Sequence, residues 1–271
     1  MADLYDASKN GNFPEVKELL NKKSYDQDDI NLALIYAAWY GHLAVIEYLV
    51  EEGADVTARD NGALINAARN GHLAVVQYLV KKGADVTAQN NIALINAATR
   101  GYLAVVQYLV NNGADVKARN NKALIGAATF GRLAVVQYLV ENGAEVTAQD
   151  NKALIGAATF GNLKIVKYLV ENGADVTAQD NSALIKAALG YHLKIVNFLL
   201  EYGARDQCYK ALAKAVEYEK LVKVLLEYYY PREVIENLLT KVSNPNIIDL
   251  LRDYLNQKFL ISPQDQRLLM G

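Results

Sequence analysis

His42, His72 and His192 are the side chains best suited to proton transfer or metal binding near neutral pH. Cys208 is the one thiol that could act as a nucleophile. Their placement argues against both chemistries. The three histidines stand at one register of a 30-residue repeat, and Tyr102, Arg132 and Asn162 stand at the same register of other copies. A position that accepts His, Tyr, Arg and Asn keeps no single chemistry. Histidines of adjacent copies, His42 and His72, would lie about 10 Å apart at ordinary helix spacing, too far to share a metal ion. Cys208 has no assured histidine partner to activate it, and a lone cysteine excludes an internal disulfide and a multi-cysteine zinc site. Pairs such as Asp150-Asn151 and Asp180-Asn181 suit turns and helix N-caps. Neither G-x-G-x-x-G nor G-x-x-x-x-G-K-[ST] occurs, so the usual backbone cradle for a nucleotide is missing. The chain is expected to hold no catalytic residue, metal or cofactor, and not to be an enzyme.

The elements around these residues explain their spacing. Asn31, Asn61, Asn91, Asn121, Asn151 and Asn181 each open a block close to N-x-A-L-I-x-A-A-x-x-G-x-L-x-x-V-x-Y-L-V-x-x-G-A-D-V-x-A-x-D. A fixed period of this size means one supersecondary unit stacked on copies of itself, a solenoid in which each unit touches its neighbours. In the block at 151–180, Ala153, Leu154, Ala157 and Ala158 recur at helical spacing and define a short first helix. Its alanine pair lets a neighbouring helix come close. Gly161 ends it. Leu163, Ile165, Val166, Leu169 and Val170 form the buried side of a second helix, with Lys164, Lys167 and Glu171 on the wet side. Gly173 closes that helix, and residues 174–178 are expected to run as an extended link. Helices this short need stacking for stability.

The second helix and link, G-H-L-A-V-V-Q-Y-L-V at 71–80 followed by G-A-D-V at 83–86, resemble the ankyrin repeat family. The resemblance covers residues 1 to about 228. It implies an all-α fold, an ankyrin-like solenoid of helix-turn-helix repeats. Two departures stand out: the units have 30 residues where the family has about 33, and x-A-L-I, as at 152–155, replaces the family's T-P-L-H turn. The missing residues fall where the family projects a β-hairpin finger, so fingers are expected to be short or absent. Arrays of this 30-residue type are familiar from large DNA viruses of amoebae, and the chain resembles them.

The ends depart from the consensus. Residues 1–30 keep the frame but carry Lys17, Glu18, Lys22 and Lys23, as suits an N-terminal capping repeat with one neighbour. Six repeats then span 31–208, a degenerate repeat 209–230, and C-terminal capping helices 231–271. In that last segment Val234, Ile235, Leu238, Leu239 and Val242 share one helix face, and Ile247, Ile248, Leu250, Leu251 and Leu255 another. The segment has a second reading. Pro231, Glu233, Val234, Leu238 and Leu239 follow the opening of an F-box, which would make the chain a substrate adaptor engaging a Skp1-like protein of a Skp1-cullin ubiquitin ligase. Tyr230 stands where that motif has Leu.

Positions that vary within fixed surroundings mark the partner surface. Position six of the block holds Tyr36, Asn66, Asn96, Gly126, Gly156 and Lys186. Positions nine and ten hold Trp39-Tyr40, Arg69-Asn70, Thr99-Arg100, Thr129-Phe130, Thr159-Phe160 and Leu189-Gly190. By the ankyrin resemblance these line a concave groove. The candidate partner-binding residues are Tyr36, Trp39, Tyr40, Asn66, Arg69, Asn70, Asn96, Thr99, Arg100, Thr129, Phe130, Thr159, Phe160 and Lys186. Aromatic and Arg side chains are the usual interface anchors, though Trp39, Tyr40, Phe130 and Phe160 could instead fill space between units. The recurring Tyr48, Tyr78, Tyr108, Tyr138 and Tyr168 read as packing with a wet hydroxyl.

The formal net charge of −2 with interspersed signs gives no basic field, so nucleic acid is not an expected partner. No apolar run approaches the roughly 18 residues that span a bilayer. The expectation is a monomeric, cytoplasmic protein, in a host cell if delivered there, that binds a protein partner through the groove as a non-catalytic interaction scaffold.

Overall fold

Each 30-residue block folds into a pair of helices because its apolar residues fall on one stripe of each and its glycines stop both. The computed structural model describes residues 2–203, 212, 219–226 and 232–259. Among them the chain forms α1 (Ala2–Lys9), α2 (Phe13–Lys22), α3 (Gln27–Tyr40), α4 (Leu43–Glu51), α5 (Ala58–Asn70), α6 (Leu73–Lys81), α7 (Ala88–Arg100), α8 (Leu103–Asn111), α9 (Ala118–Thr129) and α10 (Leu133–Glu141). There follow α11 (Ala148–Thr159), α12 (Leu163–Glu171), α13 (Ala178–Leu189), α14 (Leu193–Glu201), α15 (Glu219–Leu226), α16 (Arg232–Leu239) and α17 (Pro245–Phe259). No described residue is in a strand, so the fingers of longer ankyrin units are absent there. The chain divides into two compact units, residues 1–153 and 154–271, the division falling inside α11.

In the first unit, α1, α3, α5, α7 and α9 pack side by side as one layer, and α2, α4, α6, α8 and α10 form a second. The core between the layers repeats like the sequence. Leu34, Leu64, Leu94 and Leu124 from the first layer and Leu49, Leu79, Leu109 and Leu139 from the second are all fully buried. Each such leucine contributes about 1.5–3 kcal/mol relative to exposure. The alanine pairs, such as Ala67 and Ala68, are also fully buried and leave room for the adjacent first-layer helix. In the second unit, α12 packs on α14, α13 on α14, and α17 on both α15 and α16. There Ile235, Ile247, Leu251 and Tyr254 close a small tail core. Helix α17 runs on to Phe259, past the point near Gln257 where the apolar period fades.

The links differ from the extended segments expected. In the link at 55–57, Asp55 Oδ1 accepts from both the backbone N–H (2.8 Å) and the hydroxyl (2.7 Å) of Thr57. Val56 turns inward and is buried. Arg59, Asp60 and Asn61 then adopt left-handed conformations, with φ of 51°, 53° and 64°. The same three-residue turn recurs at 89–91, 119–121, 149–151 and 179–181. A unit three residues shorter than the usual repeat must reverse its chain within fewer residues, and a left-handed run does so. The exception is α3, which starts conventionally on Asp26, whose side chain accepts the N–H of Asp29 at 2.8 Å.

From Asn61 on, the asparagine opening each block is the third residue of this turn, and neither these nor Asn31, inside α3, is an N-cap. Asn61 is 7% exposed. Its Oδ1 accepts the backbone N–H of Asp85 at 2.7 Å, 24 residues on, where the chain leaves the second helix of the same unit. Asn31 holds Asp55, Asn91 holds Asp115 and Asn121 holds Glu145 in the same way, at 2.7, 2.8 and 2.8 Å. The bond ties start and end of each of these four helix pairs and satisfies a part-buried amide. Left-handed geometry is among the few non-glycine conformations Asn tolerates well.

The histidines are also structural. The Nε2–H of His42 donates to the carbonyl of Lys9 at 2.8 Å, that of His72 to Trp39 at 3.0 Å, and that of His192 to Thr159 at 3.0 Å. Arg132 Nε reaches the carbonyl of Thr99 at 3.4 Å from the same register. Each side chain thus bonds to the preceding unit and lies over its helix-ending glycine. A Cβ on Gly41 would stand 2.5 Å from the His72 ring.

Two stability tests follow from these contacts. Asn91→Ala should lower the unfolding free energy by about 2–4 kcal/mol in urea titration, from an orphaned amide and a strained alanine. Asn91→Gly, relieved of the strain, should cost about 1 kcal/mol less. Gly41→Ala and Gly53→Ala share a positive φ (84° and 96°), but no atom lies within 4 Å of a Cβ at Gly53. The former should therefore be the more damaging by about 1–3 kcal/mol, the cost of overpacking.

Candidate interaction surface

The first-layer helices bury positions three, four, seven and eight of each block and leave positions two, six, nine and ten on their outer side, with the isoleucine at position five half-buried at Ile35, Ile65 and Ile155 and buried at Ile95, Ile125 and Ile185. On α3 that side is aromatic. Tyr36 and Tyr40 are 44% exposed and Trp39 37%. With Leu32, Ile35, Arg59 and Asn66 they line a concavity of about 340 Å³. Its walls are held from both sides. The Arg69 guanidinium lies 5.3 Å from the Trp39 ring centroid, and Lys9 Nζ lies 5.8 Å from that of Tyr40, distances at which a cation is attracted to a ring face. Tyr5 packs at 5.9 Å against Tyr36 and donates its hydroxyl to Asp29 at 2.6 Å. That bond to a carboxylate, with some burial and the nearby Asp26, Asp28 and Asp29 charges, pushes the Tyr5 phenol up to about 12. It stays neutral at physiological pH and keeps its donor role.

Further along the first unit the surface changes character. Asn66 and Asn70 are half-buried, and Asn70 Nδ2 donates to the Asn66 carbonyl at 3.0 Å. Asn96 is half-buried and Arg100 exposed. Thr99 and Thr129 turn their hydroxyls back to the carbonyls of Ile95 and Ile125, both at 2.8 Å. They present methyl groups more than hydrogen-bonding groups. A Cβ on Gly126 would lie 2.3 Å from Thr99 Oγ1, which accounts for glycine at position six there. Phe130 is 55% exposed.

In the second unit Thr159 bonds back to Ile155 at 2.7 Å, Phe160 is 61% exposed and Lys186 is exposed. In the tail, Glu233 is exposed, Val234 and Leu239 are half-buried, and Leu238 is buried. Pro231 and Cys208 lie outside the described residues.

Two features escape a reading by block position. Arg59 belongs to a link, yet the left-handed turn brings it to the α3 concavity. In the second unit, Tyr191, His192, Leu193 and Lys194 join Gly161, Leu163 and Ile195 around a concavity of about 350 Å³. Tyr191 sits at φ 56°, where the preceding blocks have glycine. The inversion of Gly190 and Tyr191 relative to the block was the available signal. Among the described residues no three His, Cys, Asp or Glu side chains gather as a metal site would require. What the surface offers is exposed rings, cations and methyl groups, the components of a binding face.

An exposed ring and a core leucine on the same helix region should behave differently. Phe130→Ala should cost less than about 1 kcal/mol of stability, as surface substitutions do. Leu124→Ala should cost about 2–5 kcal/mol. Thermal melts followed by circular dichroism separate the two, and a loss above about 3 kcal/mol at Phe130 would make it core.

Comparison with known proteins agrees with the geometry. The family model described as "Ankyrin repeats (3 copies)" matches residues 4–60, 64–150, 94–180 and 154–237. Among solved structures, the human ASB11 ankyrin repeat domain is 27% identical, with a TM-score of 0.65 over 73% of this chain and 96% of that one. No curated protein matches. The paired short helices, the glycine stops, the ring-over-glycine contacts and the sequence profile lead to one assignment: this chain belongs to the ankyrin repeat family.

Proposed function

We propose that the chain is a non-catalytic scaffold that captures a protein segment on the outer side of its first-layer helices. Ankyrin repeats are typically interaction scaffolds, so a protein partner is the general expectation for the family. The observation that carries the reading here is the aromatic concavity of α3. Tyr36, Trp39 and Tyr40 remain exposed around it while every leucine beneath them is fully buried. Exposing three large rings in one place disfavours the free protein in water, and a partner that covers them recovers that free energy. No described helix is long and apolar enough to cross a membrane. The 30-residue period supports placing the chain with the amoebal-virus arrays, acting in the cytoplasm of a host.

For the tail, capping is the favoured role. Ile235 and Leu238 are buried and α16 packs on α17, as expected of helices that seal an apolar end. Recruitment of a Skp1-like protein through this segment would require Leu238 to leave that core.

The scaffold reading is tested by quantitative pull-down from the native cellular environment. Trp39→Ser combined with Tyr40→Ser should reduce capture of the specific partner at least about tenfold, the loss expected for removing hot-spot rings. Circular dichroism should show helix content retained. Equal capture by the variant would discard the α3 concavity as the binding site.

A further inference from the structure

From the charge on this face we infer that the occupant is an extended acidic segment carrying one apolar or aromatic anchor. This inference rests on the scaffold reading and adds the partner's chemistry. The chain as a whole carries a formal charge of −2. On α5, α7 and α9, however, the outward positions two, six, nine and ten include Arg69, Arg100 and Lys122 and no acidic residue. The adjoining turns add Arg59 and Arg119, against the single acid Asp60. Arg59 is paired with Asp28 at 3.4 Å, and Arg119 donates to the Gln89 carbonyl at 2.7 Å. Arg100 and Lys122 are exposed and have no ion-pair partner among the described residues. A face that is basic on an acidic protein, with two cations left unpaired, complements a negatively charged ligand and would steer it in.

The spacing sets the ligand's pattern. Neighbouring first-layer helices lie about 8–10 Å apart, and a peptide extended in the polyproline II conformation advances about 3.1 Å per residue and turns once every three residues. A segment crossing the layer from α3 therefore moves about three residues per helix. With its anchor in the Tyr36–Trp39–Tyr40 concavity, such a segment returns every third side chain to the protein and would place side chains about three residues on at Arg69 and about six on at Arg100, while Lys122, at the other end of its helix, adds to the positive field the segment enters. Asp or Glu at those places, in either chain direction, meets a cation each time. A phosphate-rich or nucleic-acid ligand would find no recurrent backbone track here, because the cations alternate with asparagine, isoleucine and glycine.

The test is selection of random twelve-residue peptides displayed on phage against the full-length protein, followed by binding of the enriched peptides as fluorescein-labelled synthetic probes. The variants are Trp39→Ser, and Arg100→Glu combined with Lys122→Glu, each checked by thermal melt for retained folding. The expected result is enrichment of an aromatic or leucine anchor with Asp or Glu near the third and sixth places beyond it. Those probes should lose at least tenfold in affinity with either variant, and should weaken as salt is raised from 50 to 500 mM. Probes that depend on Trp39 but are neutral or basic, or that are indifferent to the double charge reversal, overturn the acidic-segment inference and leave the scaffold reading standing. Probes indifferent to Trp39 as well, or no enrichment at all, overturn both.

Discussion

A buried asparagine side chain that holds a backbone amide 24 residues away is the contact on which the rest of the first unit depends. Helices of nine or so residues cannot persist alone in water. They need a fixed partner, and the Asn bond fixes the partner's angle by tying the entry of the first helix to the exit of the second. Once that pair is rigid, the leucines of the two layers meet in the same way in each unit and the alanine pairs admit the next helix. The ring-over-glycine contact, with its hydrogen bond to the previous unit's carbonyl, then sets the step between units. Two polar contacts thus specify geometry, and apolar burial supplies most of the stability.

The proposed binding face is a by-product of that arrangement. Because the fixed contacts all lie toward the core or the neighbours, the outward side of each first helix can change without structural cost. Trp39, Arg69, Arg100 and Phe130 differ in size and charge, yet the backbone beneath them repeats. Short links reinforce this. Among the described residues no hairpin projects beside the outward positions, and a link residue such as Arg59 reaches the α3 concavity because its own turn is tight.

Much of this was legible in the sequence. The alternation of A-L-I-x-A-A with L-x-x-V-x-Y-L-V shows two amphipathic helices per block, and the variable positions show which side faces outward. The aromatic residues at 36, 39 and 40 could be placed there for the same reason. Other parts were not legible. The buried Asn is invariant through the six blocks, but its partner is a main-chain N–H, which leaves no side-chain signature. The left-handed turns were half hidden: the Asp and Asn residues at 60–61 and 90–91 tolerate positive φ, but Arg59 and Gln89, which begin the runs, have no such preference, and the shortened period forces them. The threonine hydroxyls looked available for a partner, but a helix offers each of them a carbonyl four residues back.

Tyr191 has a wider consequence. At Gly41, Gly71, Gly101 and Gly161 a glycine leaves room for a side chain of the following block (His72, Tyr102, Arg132 and His192) against its backbone, and a tyrosine there occupies the space that side chain would take. The joints built on glycine are therefore interchangeable with one another, and the one at Tyr191 is not. Duplicating an interior block in frame would lengthen the outward face by one helix and leave its joints unchanged, whereas a consensus copy placed directly after the Tyr191 block would have to seat its side chain against a tyrosine. Reach becomes a heritable, countable quantity, set by how many glycine joints the chain keeps.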